Sequence, residues 1–146
     1  MSLRLTPAAT LCALSALTFG YSASVLADTT LSALFMTQAA YSEADIRAMT
    51  ADFTRLHPDI KVNLEFVPYE ALHDKIVAAR GAGDKGYDVV LFDAIWPAEF
   101  NKYGLLQDVT ARIPAEESNK IFDGAISTVT YKDKRWGMPW ILDTKY

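Results

Sequence analysis

The first part of the chain alternates between strand-like and helix-like hydrophobic patterns. Thr30 to Met36 form an apolar run of strand length. An apolar stripe at helical spacing follows and ends at Pro58, and Ser42 and Asp45 occupy the two capping-box positions at its start. The stripe consists of Ile46, Met49, Phe53 and Leu56. This pattern predicts a strand followed by a capped amphipathic helix.

The same order then repeats. Residues 60–66 alternate apolar and polar side chains, which predicts a strand with one buried face. Helical spacing returns at Tyr69, Leu72, Ile76 and Ala79. The apolar run Val89–Phe92 predicts a third strand, buried on both faces. Strands that alternate with helices over short connections predict an α/β fold with a mostly parallel sheet flanked by helices.

The third predicted strand ends in a polar and aromatic corner. Asp93 follows the strand directly, and Trp96 precedes Pro97, where a helix is predicted to begin. Gly104 is placed to end that helix. Because open parallel sheets bind ligands outside the carboxyl ends of their strands, this corner is predicted to lie at a ligand-binding edge.

Two further elements are predicted after this corner. Pro114 and the acidic pair that follows it predict the start of a helix, with Phe122, Ile126 and Val129 on one face. Residues 131–136 predict a small hairpin that turns at Asp133–Lys134.

Residues 1–27 predict a secretory signal peptide. Arg4 supplies a basic start, residues 8–26 carry no charge, and small or apolar residues precede Asp28. The alternative is a membrane anchor, but this apolar core is short and no stop-transfer charges follow it. Cys12 is the only cysteine and lies in this leader without the small residues that precede a lipidated cysteine. The folded part, residues 28–146, therefore has no thiol or disulfide.

The net charge of the chain excludes some classes of binding partner. The formal net charge is −4, and removal of Arg4 with the leader makes it −5. Neither nucleic acid nor an anionic membrane surface is expected to bind such a chain, and the folded part is not expected to be embedded in the membrane once the leader is removed.

Residue patterns that could indicate a cofactor or metal site lack the flanking elements or partner residues that such a site needs, and motifs of a catalytic site are missing. Gly81, Gly83 and Gly86 match G-x-G-x-x-G, but a predicted helix precedes them and a strand follows, the reverse of a dinucleotide site. His57 and His73 have no partner at metal-ligand spacing. No nucleophile elbow or phosphate-binding loop is present. We expect no cofactor, no metal and no enzyme activity.

Polar and aromatic residues instead gather at predicted strand ends. They are Gln38 and Tyr41 after the first strand, Asp93 and Trp96 after the third, and Trp140 and Asp143 near the end of the sequence. A carboxylate accepts hydrogen bonds from sugar hydroxyls, and an aromatic ring offers a flat apolar face to a pyranose. Structural roles stay open: Asp93 can cap a helix, Trp96 can pack against it, and Trp140 can belong to a hairpin core.

Three segments carry a family resemblance. They are FTRLHPDIKVNLEFVPYEAL, YDVVLFDAIWPAEFNKYGLLQDVT and YKDKRWGMPWILDT. The chain resembles the sugar-binding, maltose-binding-protein-like solute-binding proteins that serve ABC importers. It departs from the family pattern at Asp133 and Trp136, which a hairpin tolerates.

The resemblance implies a fold and a site. Such proteins have two α/β lobes that enclose the ligand, so residues 28–146 would form the amino-terminal lobe of a truncated chain whose second lobe is largely absent. By resemblance, the ligand contacts fall on residues 38–41, 93–96 and 140–143, with Glu65 a weaker candidate. An isolated lobe of this kind is expected to bind sugar weakly or not at all.

The expected function is that of a periplasmic receptor. It would capture a sugar, either an oligosaccharide or a polyol, and deliver it to the membrane subunits of the importer. Two alternatives stay open: a two-lobe receptor for another solute such as a polyamine, and a secreted α/β enzyme whose catalytic half is missing.

Overall fold

The computed structural model describes residues 29–81 and 86–142. The predicted signal peptide with Cys12, together with Gly83 and Asp143, lies outside these residues. The strands are β1 (Thr29–Met36), β2 (Ile60–Val67), β3 (Val89–Val90), β4 (Thr130–Tyr131) and β5 (Lys134–Arg135). The helices are α1 (Glu43–Leu56), α2 (Tyr69–Ala79), α3 (Pro97–Lys102), α4 (Ala115–Ser118) and α5 (Asp123–Thr128).

The main sheet is parallel and has the strand order β2-β1-β3. β1 pairs with β2 along its full length, from Thr29 opposite Ile60 to Met36 opposite Val67. The two strands are joined through α1, and β2 and β3 through α2, which is the crossover that parallel strands require. The predicted α/β fold with a parallel sheet flanked by helices is therefore confirmed.

The two helices cover opposite faces of this sheet. On one face, α1 contributes the buried Ile46, and Arg47 lies 4.9 Å from the centroid of the Phe66 ring. On the other face, α2 and α3 enclose the main core. The buried core residues are Leu34, Val67, Leu72, Ile76, Trp96 and Phe100. Alternating side chains of β1 therefore serve two different helix layers.

The residues predicted to begin α1 and to begin and end α3 have those roles in the structure. Ser42 and Asp45 form a capping box, in which the Ser42 amide donates to the Asp45 carboxylate at 2.8 Å and Ser42 Oγ accepts from the Asp45 amide at 3.3 Å. Pro97 is the first residue of α3. Gly104 follows α3 with a φ of +64°, a left-handed conformation that favours glycine.

The third strand differs from its prediction. β3 comprises only Val89 and Val90, although the Leu91 amide still donates to the Leu34 carbonyl at 2.9 Å. Val89 is 48% exposed rather than buried. β3 is an edge strand of the sheet that the structure describes.

Three smaller predictions also need correction. The predicted helix after Pro114 is two short helices, α4 and α5, and Phe122 is the exposed residue that precedes α5. The hairpin turns at Lys132–Asp133, one residue earlier than predicted, since Tyr131 pairs with Lys134, and both turn residues adopt the positive φ of a two-residue turn. Of the α1 stripe only Ile46 is buried. Within the described ranges, no helix is long and apolar enough to span a membrane.

Candidate functional site

An open cleft lies beyond the carboxyl ends of β1 and β3. Four segments supply most of its lining: residues 35–43, 87–94, 105–107 and 136–141. Tyr69, at the start of α2, also lines it. The cleft therefore occupies the sheet edge at which the polar corner after the third strand was predicted to bind ligand.

One wall of the cleft is an aromatic stack between the two ends of the described chain. The Tyr41 ring lies parallel to Trp140, with the centroids 5.0 Å apart and an interplanar angle of 17°. Phe35 meets Trp140 edge to face at 5.9 Å. The Tyr41 hydroxyl donates to the Met36 carbonyl at 2.9 Å, and burial raises the pKa of this hydroxyl. These contacts fix the loop after β1 against the segment around Trp140, which remains 44% exposed.

A second part of the lining, the Tyr69 wall, holds Asp93 and a tyrosine that sequence analysis did not select as a site residue. Asp93 is half-buried, and its Oδ2 accepts a hydrogen bond from the Tyr69 hydroxyl at 2.9 Å. Its Oδ1 accepts from the Ile95 amide at 3.2 Å. The bond to the Asp93 carboxylate raises the pKa of Tyr69. Tyr69 is 42% exposed, so part of its ring faces the cleft.

Trp96 is not part of the described cleft lining. It is only 8% exposed and belongs to the core between α2 and α3. Its indole lies nearly parallel to Tyr69 at 5.7 Å and packs against Phe100 at 5.5 Å. The side chain points into the core because Trp96 immediately precedes α3, which packs against α2. Trp96 therefore supports the Tyr69 ring from behind, and Tyr69 presents the aromatic surface on this wall.

Of the remaining candidates that the structure describes, one lines the cleft and the other does not. Gln38 is exposed and lines the cleft. Glu65, the weaker candidate, is not part of this lining: its carboxylate accepts hydrogen bonds from Lys75 and Tyr87, and the bond from Lys75 lowers its pKa. Glu65 thus ties β2 to α2. Asp143 is outside the described residues.

Tyr69 was missed because its position in the helical stripe predicted a core residue. A signal was nevertheless present, since Tyr69 follows Pro68 at the carboxyl end of β2 and therefore lies at the same sheet edge as the other candidates. In the part of the chain that the structure describes, no group of three His, Cys, Asp or Glu side chains could hold a metal ion.

Comparison with known proteins identifies the family of this chain. The sequence profile described as bacterial extracellular solute-binding protein matches residues 37–145. The chain belongs to this family. The resemblance drawn from the three sequence segments is therefore confirmed. The family consists of solute-binding proteins rather than enzymes, in agreement with the expected class.

Solved structures agree with this assignment. A solute-binding protein of an ABC transporter from Thermotoga lettingae, bound to α-D-tagatose, is 28% identical with a TM-score of 0.69, over 77% of this chain and 29% of that one. The sugar-binding protein MalE from Xanthomonas citri is 28% identical with a TM-score of 0.64, over 77% and 28% of the two chains.

A curated relative extends the comparison. An uncharacterized lipoprotein of Streptomyces antibioticus, encoded in the oleD 5′ region, is 26% identical over 104 residues, which are 71% of this chain and 23% of that protein. The chain thus spans between a quarter and a third of the two solved relatives, and about a quarter of the curated one.

Proposed function

We propose that this protein is the solute-capturing component of an ABC importer and that the cleft binds a sugar or polyol. Residues 1–27 act as the signal peptide that directs it to the periplasm, and residues 28–146 form the amino-terminal lobe. The solute is held between this lobe and a second one and is then delivered to the membrane subunits of the importer.

The observation that carries the proposal is the composition of the cleft lining. The stacked Tyr41 and Trp140 and the separate Tyr69 supply aromatic surface, and the Asp93 carboxylate lies beside Tyr69. Sugars combine apolar C–H faces with hydroxyl groups, so aromatic rings and a hydrogen-bond acceptor are the groups that bind them. A few polar groups in a largely apolar concave site are also usual for small-molecule binding.

The relatives support the class of solute. The Thermotoga lettingae protein binds tagatose, and the Xanthomonas citri protein is a sugar-binding protein. Both share the fold of this lobe at the same level of identity. By analogy, a monosaccharide, an oligosaccharide or a polyol is the proposed ligand of this chain.

A cationic solute such as a polyamine is the second candidate, because three carboxylates among the described residues line the cleft: Glu43, Asp88 and Asp93. Each of them already has a partner within the protein. Glu43 pairs with Arg47 at 3.4 Å, Asp88 accepts from the Ser32 amide at 2.8 Å, and Asp93 binds Tyr69. Arg112 adds a positive charge to the same lining. This arrangement favours a neutral solute.

Isothermal titration calorimetry of the full-length protein tests the proposal. The panel contains tagatose, maltose, maltotriose, mannotriose, ribitol and the polyamines putrescine and spermidine. We expect saturable binding of a sugar or polyol. Saturation by a polyamine alone would replace the proposal with the second candidate, and no binding to any member of the panel would refute the sugar assignment.

Two matched variants locate the binding site. Asp93→Asn is expected to weaken sugar binding by about tenfold or more, since a hydrogen bond to a charged group contributes roughly 1.5–3 kcal/mol. The control Asp52→Asn makes the same chemical change on an exposed part of α1, where Asp52 pairs with Arg55. Equal affinity of both variants would show that the ligand does not contact Asp93.

A further inference from the structure

A histidine and a glutamate meet directly behind the Tyr69 wall of the cleft. His73 lies on α2 and Glu99 on α3, and the distance from His73 Nε2 to Glu99 Oε2 is 3.1 Å. The same imidazole packs edge to face against Trp96, with centroids 5.0 Å apart and an interplanar angle of 71°. Neither residue lines the cleft.

His73 lies on the same face of α2 as the cleft residue Tyr69. Tyr69 and His73 are four residues apart, so their side chains lie on the same face of α2. The buried Trp96 indole contacts both rings: it is nearly parallel to Tyr69 and nearly perpendicular to His73. Because the core is closely packed, a displacement of the imidazole is transmitted through the indole to Tyr69.

Glu99 belongs to the helix that follows the indole. It lies in the first turn of α3, the helix that begins directly after Trp96. Its contact with His73 therefore ties the start of α3 to α2, next to the indole that His73 packs against. The side chains of His73 and Glu99 are 28% and 44% exposed, so the contact responds to the pH of the solvent.

We propose that His73 and Glu99 are positioning residues that hold Trp96 against Tyr69 and thereby set the orientation of the Tyr69 ring at the cleft wall. This inference rests on the proposed function, because its consequence is that solute affinity depends on the protonation of His73. His73 does not contact the solute itself.

The charges around the imidazole determine the direction of this dependence. Glu99 faces it from α3, and Asp74 on its own helix lies 3.4 Å from Nδ1. The hydrogen bond to Glu99 raises the pKa of His73, which partial burial opposes and Asp74 reinforces. The charged contact is therefore complete below the ordinary histidine pKa and weakens as the pH rises through the raised value. Affinity is expected to be highest at mildly acidic pH and to fall about threefold at higher pH, a small change because the pair is partly exposed.

The first experiment needs no ligand. Tryptophan fluorescence of the full-length protein is recorded from about pH 5 to pH 9, the range in which histidine titrates. A protonated imidazole quenches an indole that it contacts, so a pH-dependent step is expected. His73→Gln should abolish this step and Glu99→Gln should move it to lower pH. The control His57→Gln should leave it unchanged, because His57 packs against Phe53 at the end of α1.

The second experiment measures affinity over the same pH range with every panel member that binds. The threefold decrease with rising pH should disappear in His73→Gln and Glu99→Gln, and Glu99→Asp, which keeps the carboxylate, should restore part of it. Glu116→Gln, an exposed change on α4, is the matched control.

The outcomes separate the two proposals. A fluorescence step without any change in sugar affinity overturns the positioning role and leaves the proposed function intact. Absence of the step overturns the contact itself. If wild-type protein shows the step but binds no sugar or polyol, the proposed function fails and the affinity role fails with it.

Discussion

Replacement of Trp96 by phenylalanine tests whether Trp96 is a core residue or a ligand-binding residue. Trp96 is 8% exposed and packs against Tyr69, His73 and Phe100. Phenylalanine retains one aromatic ring behind Tyr69 but leaves part of the indole volume empty. We therefore expect Trp96→Phe to lower the stability of the protein and to change solute affinity by no more than a few fold.

The size of the stability loss follows from the volume removed. Phenylalanine is smaller than tryptophan by about 40 Å³, and a residual cavity costs roughly 24 cal/mol per Å³, or ~1 kcal/mol. The lost transfer of the buried ring atoms from water adds a similar amount. A total of about 2 kcal/mol is a substantial part of the ~5–15 kcal/mol stability of a typical protein.

Urea denaturation followed by far-UV circular dichroism measures this loss. With an m-value of roughly 2–3 kcal/mol/M, the midpoint should fall by about 0.7–1 M while m itself stays constant. Solute affinity of the folded variant is measured by calorimetry in the same buffer.

Trp140→Ala is the comparison variant, and we expect it to affect affinity more than stability. Trp140 is 44% exposed and packs mainly against Tyr41 and Phe35. Its loss should cost only about 1 kcal/mol of stability but at least about tenfold in affinity. The core assignment of Trp96 would be refuted if Trp96→Phe unfolded at the wild-type urea concentration and bound solute more than tenfold more weakly.

Three further changes test individual contacts. Tyr69→Phe keeps the ring but removes its hydrogen bond to the carboxylate, so calorimetry should show affinity reduced by about three- to tenfold. Gly137→Ala places a Cβ 2.6 Å from the Phe92 ring, and this overpacking should lower stability by about 1–3 kcal/mol in urea denaturation. Asp108 has a pKa of about 2, because it accepts hydrogen bonds from the Thr110 hydroxyl and Lys134, so its stabilising effect should be complete above about pH 4 and lost as the pH falls towards 2. Thermal unfolding of Asp108→Asn should lack this part of the acid dependence.

Each of these expectations can fail. Unchanged affinity of Tyr69→Phe would show that the hydroxyl does not orient the cleft wall. A stable Gly137→Ala variant would mean that the Phe92 ring moves aside without cost. An acid unfolding profile shared by Asp108→Asn and the wild type would assign that dependence to other carboxylates.

Much of the fold could be predicted because its signals are local. Capping by Ser42 and Asp45, the end of α1 before Pro58, and the start of α3 at Pro97 each depend on backbone chemistry within a few residues. The hydrophobic periods predicted β1, α1, β2 and α2 for the same reason, since a period of two or of 3.6 positions describes one element by itself. The order of these elements then led to the parallel sheet and to the edge at which the cleft lies.

Tertiary packing decided which aromatic residue lines the cleft. Sequence order places Trp96 beside Asp93, yet the contact between α2 and α3 buries the indole and brings Tyr69 from a different element to the Asp93 carboxylate. The stack of Tyr41 on Trp140 likewise joins residues that are far apart in the chain.

A hydrophobic period shows that one face of an element is apolar, but it does not show which neighbour covers that face. The exposed Leu56 of α1 and the exposed Val89 of β3 make the same point: their burial depends on long-range contacts, which no local pattern encodes.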